Sequence, residues 1–176
     1  HLMAEAETVS DLLRALGSAQ GRPVSQQAVI ASPEAPAARP ELAGNLLEAL
    51  YLHSQASPGR THVYLRQEDG SEQVLTYGKL AARACGVAAE LGRLGVGAGD
   101  RVALMLPTGE DFFYCFLGVL LAQAVPVPIY PPFRADRIED YATRQAGILR
   151  NAEASLLVTV RRGEGLGRLL RPAVPS

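Results

Sequence analysis

Few side chains in this sequence could do chemistry, and most are spaced so that they cannot act together. The glycines at 92, 95, 97 and 99 have the density of a phosphate-binding loop. Such a loop follows a strand and opens a helix, so that backbone N–H groups and the helix dipole meet the anion. These glycines close a helical pattern and lead into an apolar run, so the segment reads as a turn. Lys79, the sole lysine, lies inside a helical pattern. His53 and His62 each stand without a second ligand, which speaks against metal binding or catalysis at either. Cys85 and Cys115 both fall in apolar helical patterns and read as small hydrophobic residues rather than a disulfide or a metal site. The arginines at 134, 137, 144 and 150 are interleaved with acids. A solvated face is the first reading of that pattern and a phosphate site the second.

The elements that must position any site are organised around residues 99–134. Between Asp111 and Arg134 no residue is charged, and a membrane span needs only about 20 apolar residues. Gln123 in the middle and the prolines at 126, 128, 131 and 132 argue against a continuous spanning helix. The stretch divides instead by pattern. Residues 101–106, rich in Val and Leu and bounded by Gly99-Asp100 and Pro107, predict a buried strand. Residues 108–122 predict a helix capped by Thr108, apolar on every side because protein encloses it. Glu110 and Asp111 in its first turn suit the helix dipole. Residues 124–129 predict a second strand, and a right-handed crossover makes the two strands parallel neighbours.

Around this unit the chain reads as follows. A helix over 42–54 carries Leu46, Leu47, Leu50 and Tyr51 as an apolar stripe and ends at Pro58-Gly59. Strands 61–66 and 73–76 flank Asp69-Gly70, a hairpin turn signal. A helix over 77–94, N-capped by Thr76 and stopped by Gly95, sets Leu80, Ala84, Val87, Ala88, Leu91 and Leu94 opposite Lys79, Arg83, Glu90 and Arg93. A third helix, 137–150, opens with an Asp136/Glu139 capping box and buries Ile138, Tyr141, Ile148, Leu149 and Ala152. Asn151 is placed to take a left-handed terminal position, and 155–160 predicts a third strand. The fold class is therefore α/β: a β-hairpin plus a parallel βαβαβ sheet flanked by helices. A Pro/Ala-rich linker over 17–41 precedes it, and a basic, glycine-rich tail over 161–176 follows. A net charge of -1 supplies no field that would gather nucleic acid or an anionic membrane. Two unpaired cysteines and an N-terminus without a basic-then-apolar leader fit a reducing cytoplasm. The first residue is not Met, as expected of a piece of something longer or of a cloning scar.

Three segments together resemble the start of the adenylate-forming (AMP-binding, acyl-CoA synthetase-like) superfamily. They are Val74-Leu75-Thr76-Tyr77-Gly78-Lys79-Leu80, then Gly95-Val96-x-x-Gly99-Asp100-Arg101-Val102-Ala103-Leu104, then Ala124-Val125-Pro126-Val127-Pro128. Tyr130-Pro131-Pro132-x-Arg134, followed by Ile148-Leu149-x-x-Ala152, is most similar to the fatty acyl-AMP ligase version. The resemblance covers 42–160 and implies the N-terminal portion of the large adenylate-forming domain. Residues 8–16 are similar to the last helix of an acyl carrier protein, so 1–16 reads as the end of an upstream carrier-like domain or as a frayed helix. Two positions depart from the family pattern: Lys79 stands where Glu is usual, and Gln123 where Gly is usual. A non-glycine residue in a left-handed turn costs about 1 kcal/mol, so both departures are expected to weaken the fold slightly.

The implied reaction activates a fatty acid with ATP and Mg²⁺ to an acyl-adenylate, releasing pyrophosphate. The acyl group then passes to the phosphopantetheine thiol of an acyl carrier protein. That chemistry needs a Gly/Ser/Thr-rich phosphate loop, an acid for ribose and metal, and a mobile lysine. None is in this sequence, so no catalytic or metal residue is assigned and residues 1–176 alone are expected to be inactive. What they could contribute is wall. In open α/β sheets ligands collect at the carboxyl ends of strands, here 106–108 and 130–134. Tyr130, Pro131, Pro132 and Arg134 then line the entrance for acyl chain or pantetheine, unless the double proline merely stiffens a βα connection. The rival readings are an acyl-CoA synthetase and a non-catalytic module docking a carrier protein or synthase partner. A flavodoxin-like nucleotide binder would need a Gly-rich or acidic loop after a strand, which is missing. The enclosed helix and a partial sheet with open edges lead us to expect that the chain by itself aggregates, self-associates or is poorly ordered.

Overall fold

The computed structural model describes residues 42–67, 69–131, 138–160 and 170. In chain order the elements are α1 (Leu46–Ala56), β1 (Thr61–Arg66), β2 (Glu72–Thr76), α2 (Tyr77–Arg93), β3 (Arg101–Met105), α3 (Glu110–Leu121), β4 (Val125–Pro128), α4 (Ile138–Asn151) and β5 (Leu156–Thr159). β1 and β2 form the expected antiparallel hairpin, with Tyr64 opposite Val74. At its turn Gly70 adopts φ 83°, and the Asp69 carboxylate accepts from the Ser71 N–H at 2.9 Å.

The second sheet is parallel, in the order β4-β3-β5. The apolar run Val102–Met105 of β3 is explained by burial on both faces. Val102 and Leu104 join Leu91, Val119 and Ala124 on the side of α2 and α3. Ala103 and Met105 join Ile129, Leu149, Ala154 and Leu170 on the side of α4. The result is three layers, helix–sheet–helix, with β3 as the middle strand. α2 and α3 approach closely enough that a Cβ on Gly118 would lie 2.6 Å from the Val87 side chain and 3.0 Å from the Ala84 carbonyl oxygen. Among the described residues, no helix is long and apolar enough to cross a membrane.

Each helix that leads into a strand of this sheet stops in the same way. The residue after the C-cap turns left-handed, at Gly95 (φ 85°), Gln123 (φ 59°) and Glu153 (φ 49°). The next N–H then reaches back to the last turn: Val96 to Leu91, Ala124 to Val119 and Ala154 to Leu149, each at 3.0 Å. This is the Schellman pairing, which satisfies carbonyls the helix leaves open.

Several local expectations are corrected. Thr108 does not cap α3: the N-cap is Gly109, without a side-chain bond, because the helix begins two residues later at Glu110. Asn151 remains helical, and Glu153 takes the left-handed position. In α1 only Leu50 and Ser54 are buried, whereas Leu46 and Tyr51 are exposed; Asn45, not Leu42, marks the start. Leu94 and Ile148 face outward, and Cys85 is exposed. Asp136 of the expected capping box lies outside the described residues. Thr76 does cap α2, accepting from the Lys79 N–H at 3.2 Å.

Candidate functional site

Where β3 and β4 end, their carboxyl termini splay apart around a cavity of about 400 Å³. One wall is Leu106, Pro107 and Thr108, the other is residues 128–131, and Phe112 of α3 closes the side. The parallel ladder sets both walls: the Ile129 N–H donates to the Leu104 carbonyl at 3.0 Å, so the chain leaves the sheet only after Ile129. Phe112 is held by its neighbours, stacked on Phe116 with centroids 6.0 Å apart and edge-on to Phe113 at 5.8 Å. The Tyr141 hydroxyl of α4 donates to the Tyr130 carbonyl and lies 3.5 Å from the Met105 sulfur, which pins the second wall to the helix behind it. Burial pushes the Tyr141 phenol above its ordinary pKa, so it remains a donor.

The residues singled out from the sequence separate here. Tyr130 and Pro131 line the cavity, with the Tyr130 side chain 76% exposed at its mouth. Pro132 and Arg134 lie outside the described residues. The described lining carries no acid, amine, imidazole or thiol. Such a cavity can enclose an apolar group, using the displacement of water from hydrocarbon as its driving force.

Two clusters went unread in the sequence because their members come from separate elements. Lys79 Nζ of α2 meets Glu110 Oε2 of α3 at 2.9 Å, and the Tyr114 hydroxyl donates to the same oxygen at 3.0 Å. The Lys79 ammonium first, then the Tyr114 hydroxyl, holds the Glu110 carboxyl below the ordinary glutamate range. The Glu110 carboxylate in turn raises Lys79. Lys79 thus forgoes a capping box and ties two helices together instead. The second cluster is three rings around Tyr77, with His53 stacked on it and His62 tilted against it. His53 lies on Tyr77 at 4.5 Å and His62 at 4.6 Å, so neither imidazole is isolated. His62 sits at a register irregularity in β1, where a bulge re-aims a side chain. Partial burial, then the charge of His53, lowers the His62 pKa.

Neither cluster, nor the cavity, fits the phosphates of ATP or a divalent metal. The described loop that leaves β3 and opens α3 presents Glu110 and Asp111 in the first helical turn, where an anion would need N–H groups free of negative charge. In the glycine turn the Gly97 N–H is already taken by the Asp100 carboxylate at 2.8 Å. Among the described residues, no three of His, Cys, Asp and Glu gather as metal ligands.

Comparison with known proteins places this geometry. The model of the AMP-binding enzyme family matches residues 51–173. The long-chain-fatty-acid–AMP ligase FadD26 of Mycobacterium marinum is 36% identical over 91 residues, 52% of this chain and 15% of its own length. The acetyl-coenzyme A synthetase of Streptomyces avermitilis is 30% identical over 125 residues, 69% of this chain and 18% of its own. Among solved structures, the fatty acyl-adenylate ligase of L. pneumophila in complex with acyl adenylate and pyrophosphate superposes with TM-score 0.63 at 27% identity. That match covers 72% of this chain and 22% of the other. The chain therefore spans less than a quarter of the length of these relatives. With the hairpin and the parallel sheet matching the opening part of the adenylate-forming fold, this chain belongs to the AMP-binding enzyme family.

Proposed function

We propose that residues 42–160 form one wall of a fatty acyl-AMP ligase, which activates a fatty acid with ATP and Mg²⁺ and passes the acyl group to an acyl carrier protein. In this reading the nucleotide, the metal and the adenylation step are handled by parts of the ligase other than residues 42–160. The segment contributes the apolar cavity beyond β3 and β4, with Tyr130, Pro131, Pro132 and Arg134 along the entrance used by acyl chain or pantetheine. The observation that carries this is the cavity itself: apolar, uncharged, and at the strand ends where α/β folds collect ligands. The likeness to FadD26 supports a fatty acid as substrate and an acyl-adenylate as product. The likeness to an acetyl-coenzyme A synthetase favours a second reading, in which coenzyme A is the acceptor.

Two measurements test it. The purified 176-residue chain, given fatty acid, ATP and Mg²⁺, is expected to release no pyrophosphate; steady release would overturn the division of labour. In a ligase carrying this segment, Tyr130→Ala and Arg134→Ala are expected to raise KM for the fatty acid or the acceptor. Unchanged kinetics for both would remove the entrance role. Comparing carrier protein with coenzyme A in the same assay separates the two acceptors.

A further inference from the structure

Three helix starts can be followed through the described residues, and they are not equally secured. At α1 the Asn45 side-chain oxygen accepts from the Glu48 N–H at 2.9 Å, and the first helical bond, from the Ala49 N–H to the Asn45 carbonyl, is 3.1 Å long. At α2 the Tyr77 and Gly78 N–H groups donate to the Arg60 and Pro58 carbonyls at 3.1 and 2.9 Å, and the Thr76 hydroxyl takes the Lys79 N–H. Among the described residues, α3 has neither device. Its N-cap is Gly109, without a side-chain bond, and the Phe113 N–H reaches the Gly109 carbonyl only at 3.5 Å. A glycine entry without a side-chain cap leaves a first turn with little local hold on its own position. Yet this turn bears on the cavity. Thr108 stands just before it, Phe112 lies within it, and both line the cavity wall.

What ties this turn down is on the far side of the helix. At 3.6 residues per turn, Phe112 lies about 200° round the axis from Glu110. Glu110, Tyr114 and Leu117 share one face, and there Tyr114 and Leu117 pack with Leu80 and Ala84 of α2. On that face the Glu110 carboxylate receives the Lys79 ammonium at 2.9 Å and the Tyr114 hydroxyl at 3.0 Å. Tyr114 is only 6% exposed, so the hydroxyl that shares the carboxylate is anchored in the core. Lys79 is anchored too, because Thr76 fixes its backbone at the start of α2. The first turn of α3 therefore cannot rotate or unwind without breaking a charged bond to a neighbouring helix. Holding Glu110 on one side holds Phe112 on the other.

We propose that Lys79 is a positioning residue for the apolar cavity: through Glu110 it fixes the first turn of α3, and with it the place of Thr108 and Phe112 in the wall, and so sets the fit of an apolar ligand. Only the identity of that ligand, a fatty acyl chain, rests on the ligase reading. The test uses a ligase carrying this segment, with 4-fluorophenylalanine placed at position 112. Lys79→Met is expected to shift or broaden the fluorine resonance, and Lys79→Arg, which keeps the pair, to preserve it. In the same variants KM for the fatty acid should rise about two- to fivefold for Lys79→Met with kcat unchanged, the size of effect that a half-exposed ion pair supports. Lys79→Glu should raise KM further, and adding Glu110→Lys should bring it back. An unmoved resonance in Lys79→Met would overturn the proposal, as would a charge swap without rescue. A moved resonance with an unchanged KM, for a fatty acid that the enzyme does turn over, would also overturn it while leaving the ligase reading intact. A moved resonance in a protein that turns over no fatty acid would uphold the positioning role and strike out the ligase reading instead.

Discussion

The two ends of the parallel sheet contrast sharply. At the amino ends of the strands, three helices arrive through the same left-handed turn, each stopped by hydrogen bonds back to its own last turn. At the carboxyl ends of β3 and β4 the described residues leave the sheet at Pro107 and Pro131 and enclose a cavity rather than packing shut. One end is where the fold is fixed; the other is where something else can fit. The contrast follows from the polarity of the strands, because only the carboxyl ends leave the sheet into loops that no helix stop constrains.

The largest test of this division lies between the ends, in β3. Leu104 is 0% exposed, and Leu104→Ala should cost about 2–5 kcal/mol in urea denaturation. A loss much below that would mean that the sheet is not the stabilising centre. Next is the helix pair covering the sheet. Gly118→Ala forces a methyl against Val87 and the Ala84 carbonyl, and overpacking of this kind costs about 1–3 kcal/mol. At the closed end two substitutions should act with opposite signs. Gly95→Ala places a side chain at φ 85°, while Gln123→Gly relieves one at φ 59°; each should shift stability by about 1 kcal/mol. If both destabilise, the turns are not equivalent and the common stop is only apparent.

Much of the closed end was legible in the sequence. The glycine at 95, the strand run at 101–106, the Val-Pro strand and the helix between them carry period, punctuation and length in adjacent residues. Gln123 could be read as strained because the family resemblance supplied glycine for comparison, and it does turn left-handed. Glu153 could not be read: nothing in its type marks it against Asn151, the better left-handed residue, and the choice was made by where Ala154 must enter the core. At the open end the cavity was anticipated as a location, from strand polarity, but not its shape. Phe112 enters it from a helix face that reads as uniformly apolar. The Lys79–Glu110–Tyr114 and His53–Tyr77–His62 clusters join residues far apart in the chain, and no local pattern announces such pairs.

The open end should also respond to acid before the closed end does. Glu110 starts α3, and its carboxyl is held below the ordinary range by Lys79 and Tyr114. A carboxylate so shifted contributes stability above the ordinary glutamate range and loses it as pH falls through the lowered value. Once exchange rates are corrected for their intrinsic dependence on pH, the protection of the Phe113 amide, which closes the first turn of α3, should therefore fall on acidification while that of Ala124, in the turn after the same helix, holds. Lys79→Met should abolish the difference. An equal loss of protection at both ends would show that the pair does not act locally.

The smallest effect expected is at the cavity mouth. The Tyr130 side chain is 76% exposed, and the bond that pins its segment is made by its backbone carbonyl to Tyr141. Tyr130→Ala leaves that carbonyl in place and removes little buried area, so stability should change by no more than about 0.5 kcal/mol. Tyr141→Phe keeps the ring and deletes the pin, so it should cost more than Tyr130→Ala although both remove something from the same loop. Comparing their melting curves separates a wall held from behind through its backbone from a wall that stabilises itself through its side chain. If Tyr130→Ala were the costlier of the two, the open end would be part of the fold's own packing, and its difference from the closed end would be one of shape alone.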